Sequence, residues 1–271
     1  MLTKKQRRKQ VFERLTFDTT RVDDYAKHLR NTRHRFPRSV RFLVADGYYY
    51  RSKFWEAVRE LNLDFIGKLR VDADLLYLYT GEQKKLSSPR KYDGKFNGQD
   101  LRRLNFVKEI KPGVSLYTLF VWSCCLNCQI RLVCVSEVQA NGKLKNGLLF
   151  STDLHLSPEE VIEYYQARFQ IEFIFRDAKQ FTGLSDCQSP HPQRLDFHFN
   201  SSLTSLNLAK YQAYNCHSSS QSLVFPMANY KRLQLNQHLL STFIDKLDLD
   251  PNMILNHPNF PELLSYGTLA A

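Results

Sequence analysis

The chain has 271 residues, 43% hydrophobic and 13% aromatic, enough for one large domain or two modest ones with a buried core. No run approaches the roughly 20 apolar residues that span a bilayer, and the start MLTKKQRRKQ lacks the apolar stretch of a secretory signal. With a net charge of +11 and six cysteines at irregular spacing, a membrane span and a disulfide scaffold are excluded, and a soluble cytoplasmic protein with reduced thiols is expected.

The charge is unevenly spread. Residues 1–45 hold thirteen Lys and Arg against four Asp and Glu, so nine of the eleven surplus charges lie there. Such a concentration is the electrostatic footprint of a polyanion partner. No wide apolar helical face lies beside these charges, which argues against a membrane-surface helix. Residues 4–14 are too charged to bury, and 22–34 read as a short amphipathic helix before Pro37. The run VRFLVADG then has strand length and ends at Asp46 and Gly47, which puts Asp46 at the carboxyl end of a central strand. Residues 50–62 have helical periodicity through Phe54, Val58 and Leu61, and DFIGKLRV at 64–71 reads as a second strand. Strand, helix, strand is the order of an α/β layer.

From about residue 73 to 145 the pattern becomes short strands, LLYLYTG, LNFVKEI, VSLYTLFVW and IRLVCVSEV, parted by turns such as SSPRKYDGKFNG and QANGKLKNG. This reads as a β-rich insertion. Cys125 and Cys128 form a C-x-x-C beside Cys124, but no second pair follows at zinc spacing, so a hairpin turn is the better reading. Trp122 is assigned to packing. GLLFSTD at 147–153 returns to strand, after which Ser157, Pro158 and Glu160 form a helix start: an N-cap, a proline in the first turn and an acid three residues on. The helix is expected to run unbroken to about Gly183. A second helix is expected over 196–213 and a third over 229–247, separated by a polar linker around 215–222, with an irregular tail after Asp250.

The helix before Gly183 carries the densest chemistry. YQARFQIEFIFRDAK sets Tyr165, Arg168, Glu172 and Lys179 at offsets of zero, three, seven and fourteen. At about 100° per residue, one continuous helix would gather them within roughly 60° of arc. Arg and Glu at this spacing also occur as plain solvated pairs. Here Phe169, Ile171, Phe173, Ile174 and Phe175 interleave with them, so a mostly buried helix with one polar stripe on a cleft is expected. A carboxylate flanked by two cations and a phenol suits a metal-assisted reaction on a phosphate ester.

The spacing Tyr, two residues, Arg, three residues, Glu, six residues, Lys resembles the signature of a large group of bacterial insertion-sequence transposases with an Asp-Asp-Glu triad. Tyr165, Arg168, Glu172 and Lys179 match it without a gap, and ADGYYYRSKFWEAVRELNLDFIGKLR resembles the segment around that group's second catalytic Asp, here Asp46. The resemblance covers residues 40–210. It implies an RNase H-like α/β fold, a mixed sheet flanked by helices, with a β-rich insertion before the helix carrying the catalytic Glu. On this reading residues 1–39 are a basic arm, 40–72 and 146–214 the catalytic core, 73–145 the insertion, and 215–271 a helical C-terminal region. It further implies that Asp46 and Glu172 are catalytic and hold Mg²⁺ or Mn²⁺, two ions in a complete site about 3.5 to 4 Å apart. Tyr165, Arg168 and Lys179 would contact DNA. The implied partners are double-stranded DNA, as transposon ends and target, and a second copy of the chain as a homodimer, with no membrane.

One departure stands out. Members of the group carry a first catalytic Asp on an earlier strand, whereas nothing before Asp46 reads as a strand ending in Asp. Asp18 in RLTFDTTR is the one conceivable substitute, since Asp23 and Asp24 read as a helix start. The expectation is therefore the C-terminal part of a longer or disrupted transposase, begun at an internal Met, that binds DNA nonspecifically and cleaves it poorly or not at all. Two other readings are a noncatalytic or inhibitory DNA-binding fragment and a hydrolytic nuclease of similar fold.

Overall fold

A computed structural model describes residues 20–83, 88–216 and 226–268. The chain divides into two compact units, Met1–Phe169 and Gln170–Ala271.

The first unit is built on an eight-stranded mixed sheet, in the order β1-β2-β8-β7-β6-β3-β4, with β5 also pairing with β6. Its strands are β1 (Phe42–Ala45), β2 (Asp64–Leu69), β3 (Leu75–Leu78), β4 (Tyr92–Lys95), β5 (Asn105–Lys111), β6 (Val114–Ser123), β7 (Cys128–Val138) and β8 (Leu144–Ser151). β1 and β2 run parallel, in register from Phe42 opposite Asp64 to Ala45 opposite Gly67; every other pairing is antiparallel. The parallel pair follows from the helix between the strands, α2 (Ser52–Glu60), since only a crossover returns the chain in the same direction. The strands of the β-rich interval continue the same sheet, because β7 pairs with β8 along Arg131–Val138.

Both faces of the sheet are covered, which is why β2 is buried at consecutive positions, Phe65, Ile66 and Gly67, and does not alternate. On one face, α1 (Arg21–Thr32) and α2 bury Ala26, Phe54, Trp55, Ala57 and Val58 with Phe65, Leu132 and Phe150. On the other, α3 (Pro158–Ala167) packs Val161, Ile162 and Tyr165 over Ile66, Val133 and Leu149. An aromatic chain runs through the first layer: Phe65 and Phe150 meet edge to face at 5.1 Å, with Tyr50 5.3 Å from Phe150 and Phe54 5.7 Å from Phe65.

The helix starts follow the expected capping chemistry. The Ser157 hydroxyl accepts the Glu160 amide while Glu160 Oε2 accepts the Ser157 amide at 2.8 Å, with Pro158 at the first helical position. At α1, Asp23 Oδ2 accepts the Thr20 hydroxyl at 2.7 Å and amide at 2.8 Å, and Lys53 lies 3.0 Å from its Oδ1. The Thr20 hydroxyl first, then its amide and Lys53, lower Asp23 from 3.8 to about 2. Arg102, through its side chain and then its amide, lowers Asp100 likewise to about 2. Because both folded values lie below the unfolded one, these contacts are intact above about pH 4 and are lost as pH falls toward 2. Protection of the amides at the start of α1, measured against their intrinsic exchange at each pH, is therefore expected to fall over that interval, and Asp23→Asn should remove the step.

The second unit holds α4 (Gln170–Phe181), α5 (Pro192–Cys216), α6 (Met227–Lys246), α7 (Pro251–Leu255) and α8 (Phe260–Leu264). Ala178, Leu184, Leu206, Ala209 and Met227 form its core, joining α4, α5 and α6. α4 ends where expected: Gly183 takes φ +69° and the Leu184 amide reaches back to the Ala178 carbonyl at 3.1 Å. Two short helices stand where an irregular tail was expected. Asp250 caps the first through the Asn252 amide, with Pro251 at its opening position. The turn expected at SSPRKYDGKFNG also proves to hold a strand, β4, which pairs with β3 through Leu76–Lys95 and Leu78–Tyr92.

Candidate active site

Asp46 sits directly after β1, exposed to solvent at the carboxyl end of the parallel pair. Open α/β sheets bind ligands at such strand ends. Its Oδ1 accepts the Tyr48 amide at 2.9 Å and so caps the 3₁₀ turn Gly47–Tyr49. No hydrogen bond or ion pair among the described residues uses Oδ2. The turn is pressed onto β2, since a Cβ on Gly47 would lie 3.2 Å from the Lys68 carbonyl oxygen. Beneath it, Tyr49 packs against Phe54 at 4.9 Å and Tyr25 at 5.5 Å. Burial first, then Tyr25 and Asp46, push its phenol above the ordinary value, so Tyr49 supports the turn as a neutral group.

Tyr165 lies on α3, half-buried against Ile66 and Leu149. Arg168 follows the helix, its guanidinium 5.8 Å from the Tyr165 ring centre and 4.6 Å from that of Phe169. Tyr165 and Gly47, the neighbour of Asp46, line one groove. The single helix expected from Ser157 to Gly183 is broken: α3 stops at Ala167 and α4 begins at Gln170. Between them the Arg168 amide bonds to Tyr165 and the Phe169 amide to Gln166, the tighter three-residue spacing. The break falls where Arg168 stacks on its own neighbours, Tyr165 and Phe169. The 60° arc drawn for four side chains on one helix therefore does not apply.

In the second unit, Glu172 and Lys179 are both exposed on α4. They stand seven residues apart, two turns along one face. The expected burial of this helix is also corrected: Phe169, Ile171, Phe173 and Phe175 are all exposed, and the buried side is Asp177 with Ala178. Asp177, which the sequence reading passed over, is only 4% exposed and accepts Arg176 Nε and Nη2 on Oδ1 at 3.1 and 3.0 Å. The adjacent Arg-Asp pair next to a buried Ala was its only signal. His198 bonds through Nε2 to the Gly183 carbonyl at 2.7 Å, closing the end of α4.

The remaining candidates have structural roles. Cys124 and Cys125 lie in the turn between β6 and β7, with Asn127 at φ +51°, and Cys128 opens β7 opposite Ser123. Burial pushes the Cys128 thiol up to about 11, which keeps it a poor nucleophile. Trp122 packs on Tyr92 at 5.7 Å. Asp18 lies outside the described residues.

Asp46 and Glu172 offer hard, solvent-facing carboxylate oxygens of the kind Mg²⁺ takes. No group of three or more His, Cys, Asp or Glu that could hold a metal gathers among the described residues. In its donor chemistry each carboxylate, Asp46 in the first unit and Glu172 in the second, fits a divalent cation.

A mixed α/β sheet with an acid at the end of a parallel strand, covered by helices on both faces, is the architecture of an RNase H-like domain. Residues 14–208 match the family described as Transposase DDE domain, and the chain belongs to that family. No curated protein matches it. Membership makes DNA transposition the work of the domain, and enzymes of this family generally cut and join DNA with a divalent metal. No helix among the described residues is long and apolar enough to cross a membrane.

Proposed function

We propose that the chain is the catalytic portion of an insertion-sequence transposase of the Tyr-Arg-Glu-Lys group, acting in the bacterial cytoplasm on transposon ends and target DNA. Asp46 and Glu172 are assigned as the catalytic, metal-holding carboxylates, with Mg²⁺ or Mn²⁺ as the ion. Arg168 and Lys179 are assigned to the phosphodiester and Tyr165 to a contact beside it. Residues 40–72 and 146–214 are taken as the core of this activity, with 73–145 as its β-rich extension. The observation that carries the reading is Asp46 at the end of β1, one oxygen fixed by the Tyr48 amide and the other turned to solvent, in a chain of this family.

The protein is further proposed to act as a homodimer. Leu235, Leu239, Phe243 and Leu247 recur every fourth residue along α6 and past its end and are 45–62% exposed, the pattern of an apolar ridge that pairs with its own copy.

Two carboxylates hold a metal pair less firmly than three, so firm DNA binding with slow cleavage is expected. With supercoiled plasmid and Mg²⁺ or Mn²⁺, nicking should be weak and should vanish in Glu172→Ala, whereas gel retention of DNA should persist. Vigorous cleavage abolished by Glu172→Ala would place a third ligand outside the described residues. Absence of DNA retention would overturn the reading.

A further inference from the structure

The groove that Gly47 and Tyr165 share has a volume of about 1040 Å³ and lies wholly within the first unit. Its floor is the sheet face beside α3, with Val135 and Leu149 among the apolar residues, and Ile162 and Tyr165 of α3 form a wall. Its rim is cationic: Lys68, Arg70, Lys111 and Lys145 line it against Asp72 and Glu137. Arg70 is forked onto Asp72 at 3.0 and 3.1 Å, which cancels that pair. Lys68, Lys111 and Lys145 are exposed and enter none of the ion pairs among the described residues. One wall is braced, since Lys108 on β5 reaches Glu159 at the start of α3 at 3.0 Å.

We infer that this groove binds an unpaired DNA strand, with Lys68, Lys111 and Lys145 on successive phosphates and sugars and bases on the apolar floor beside Tyr165. The inference rests on the functional reading above, in which Asp46, the neighbour of the groove-lining Gly47, is catalytic. Two features select a single strand. A duplex shows phosphates, sugars and base edges but keeps its base faces in the stack, so it has no base face to lay on an apolar floor. A single strand offers phosphates to a cationic rim and bases to apolar and aromatic surface at once, and such grooves combine both. Lys68 follows Gly67 on β2, directly beneath the Gly47 turn, so a strand laid along the rim is led toward Asp46. None of Lys68, Lys111 and Lys145 belongs to the Tyr-Arg-Glu-Lys signature.

The test uses the full chain and fluorescence anisotropy with labelled oligothymidylate and, separately, a blunt duplex, across about 50 to 200 mM salt. In Lys111→Ala/Lys145→Ala, removing two phosphate contacts should reduce the salt slope for the single strand by about 1.4, at about 0.7 per contact. The duplex slope should stay within about 0.3 of its starting value. A control variant, Lys91→Ala/Lys143→Ala, alters two exposed lysines outside the groove and should leave both slopes unchanged. Both pairs are surface residues, and circular dichroism verifies that the fold is kept. Equal losses on single strand and duplex, or no loss on either, would overturn the groove assignment while leaving the transposase reading standing. Tighter binding of the matching RNA would overturn it in favour of an RNA site, and a wild-type chain that binds no DNA would sink both.

Discussion

Phe150→Ala is expected to remove about 3–5 kcal/mol from the stability of the first unit, the range for a fully buried phenylalanine. Phe150 is 0% exposed and joins Phe65 and Tyr50 through edge-to-face contacts at 5.1 and 5.3 Å. Domains of this size are stable by only about 5–15 kcal/mol, so the loss takes a large share. Both tryptophans, Trp55 and Trp122, lie in this unit, so their fluorescence follows its unfolding in urea. The midpoint should fall by about 1–2 M. The ring also occupies the space a side chain would take at Gly67, where a Cβ would come within 2.7 Å of Phe150 Cε1. Gly67→Ala alone should therefore cost about 1–3 kcal/mol by overpacking. In the Phe150→Ala background the ring is gone and most of that cost should disappear. Additivity of the two changes to within about 0.5 kcal/mol would show that the ring does not define the space.

The second large effect concerns assembly. Glutamates in place of Leu239 and Phe243 would set two charges in the middle of the α6 ridge, where each lost anchor is worth about 2 kcal/mol or more. The dissociation constant of the proposed dimer should rise by about 10²- to 10³-fold, read by sedimentation velocity over a concentration series. Both side chains are exposed, at 45% and 59%, so the helical signal should be unchanged. Sedimentation that does not distinguish the variant from the parent chain, whether both are single or both paired, would remove α6 as the contact. Self-packing of ridges spaced by four residues favours helices crossing at about −50°.

What was legible in the sequence was local. The Ser157-Pro158-Glu160 start, the Gly183 stop and the strand ending before Asp46 each rest on a few neighbouring residues whose chemistry allows little else. β4 escaped because its segment YDGK looks like a turn: Gly94 takes φ +90° and the strand is held by β3 alone. Asp250 and Pro251 did announce α7, but a stretch rich in Pro and Asn concealed them. The interruption after Ala167 was hidden for another reason. Periodicity counts residues along an ideal helix and does not register where its hydrogen bonds fail, so Tyr165 and Arg168 were projected onto the axis of Glu172 and Lys179. The groove was likewise out of reach, because Lys68, Lys111 and Lys145 come from β2, β5 and β8 and meet only through the order of the sheet.

That order also sets a timetable. The parallel pair β1 and β2 is complete once residue 69 has left the ribosome, yet the other edge of β2 pairs with β8, Ile66 opposite Ser151, about 85 residues later. At about 5–20 residues per second, an apolar strand edge then waits about 4–17 s for its neighbour to be synthesised. During that delay the nascent chain offers a template for aggregation, and a holding chaperone is the simplest protection.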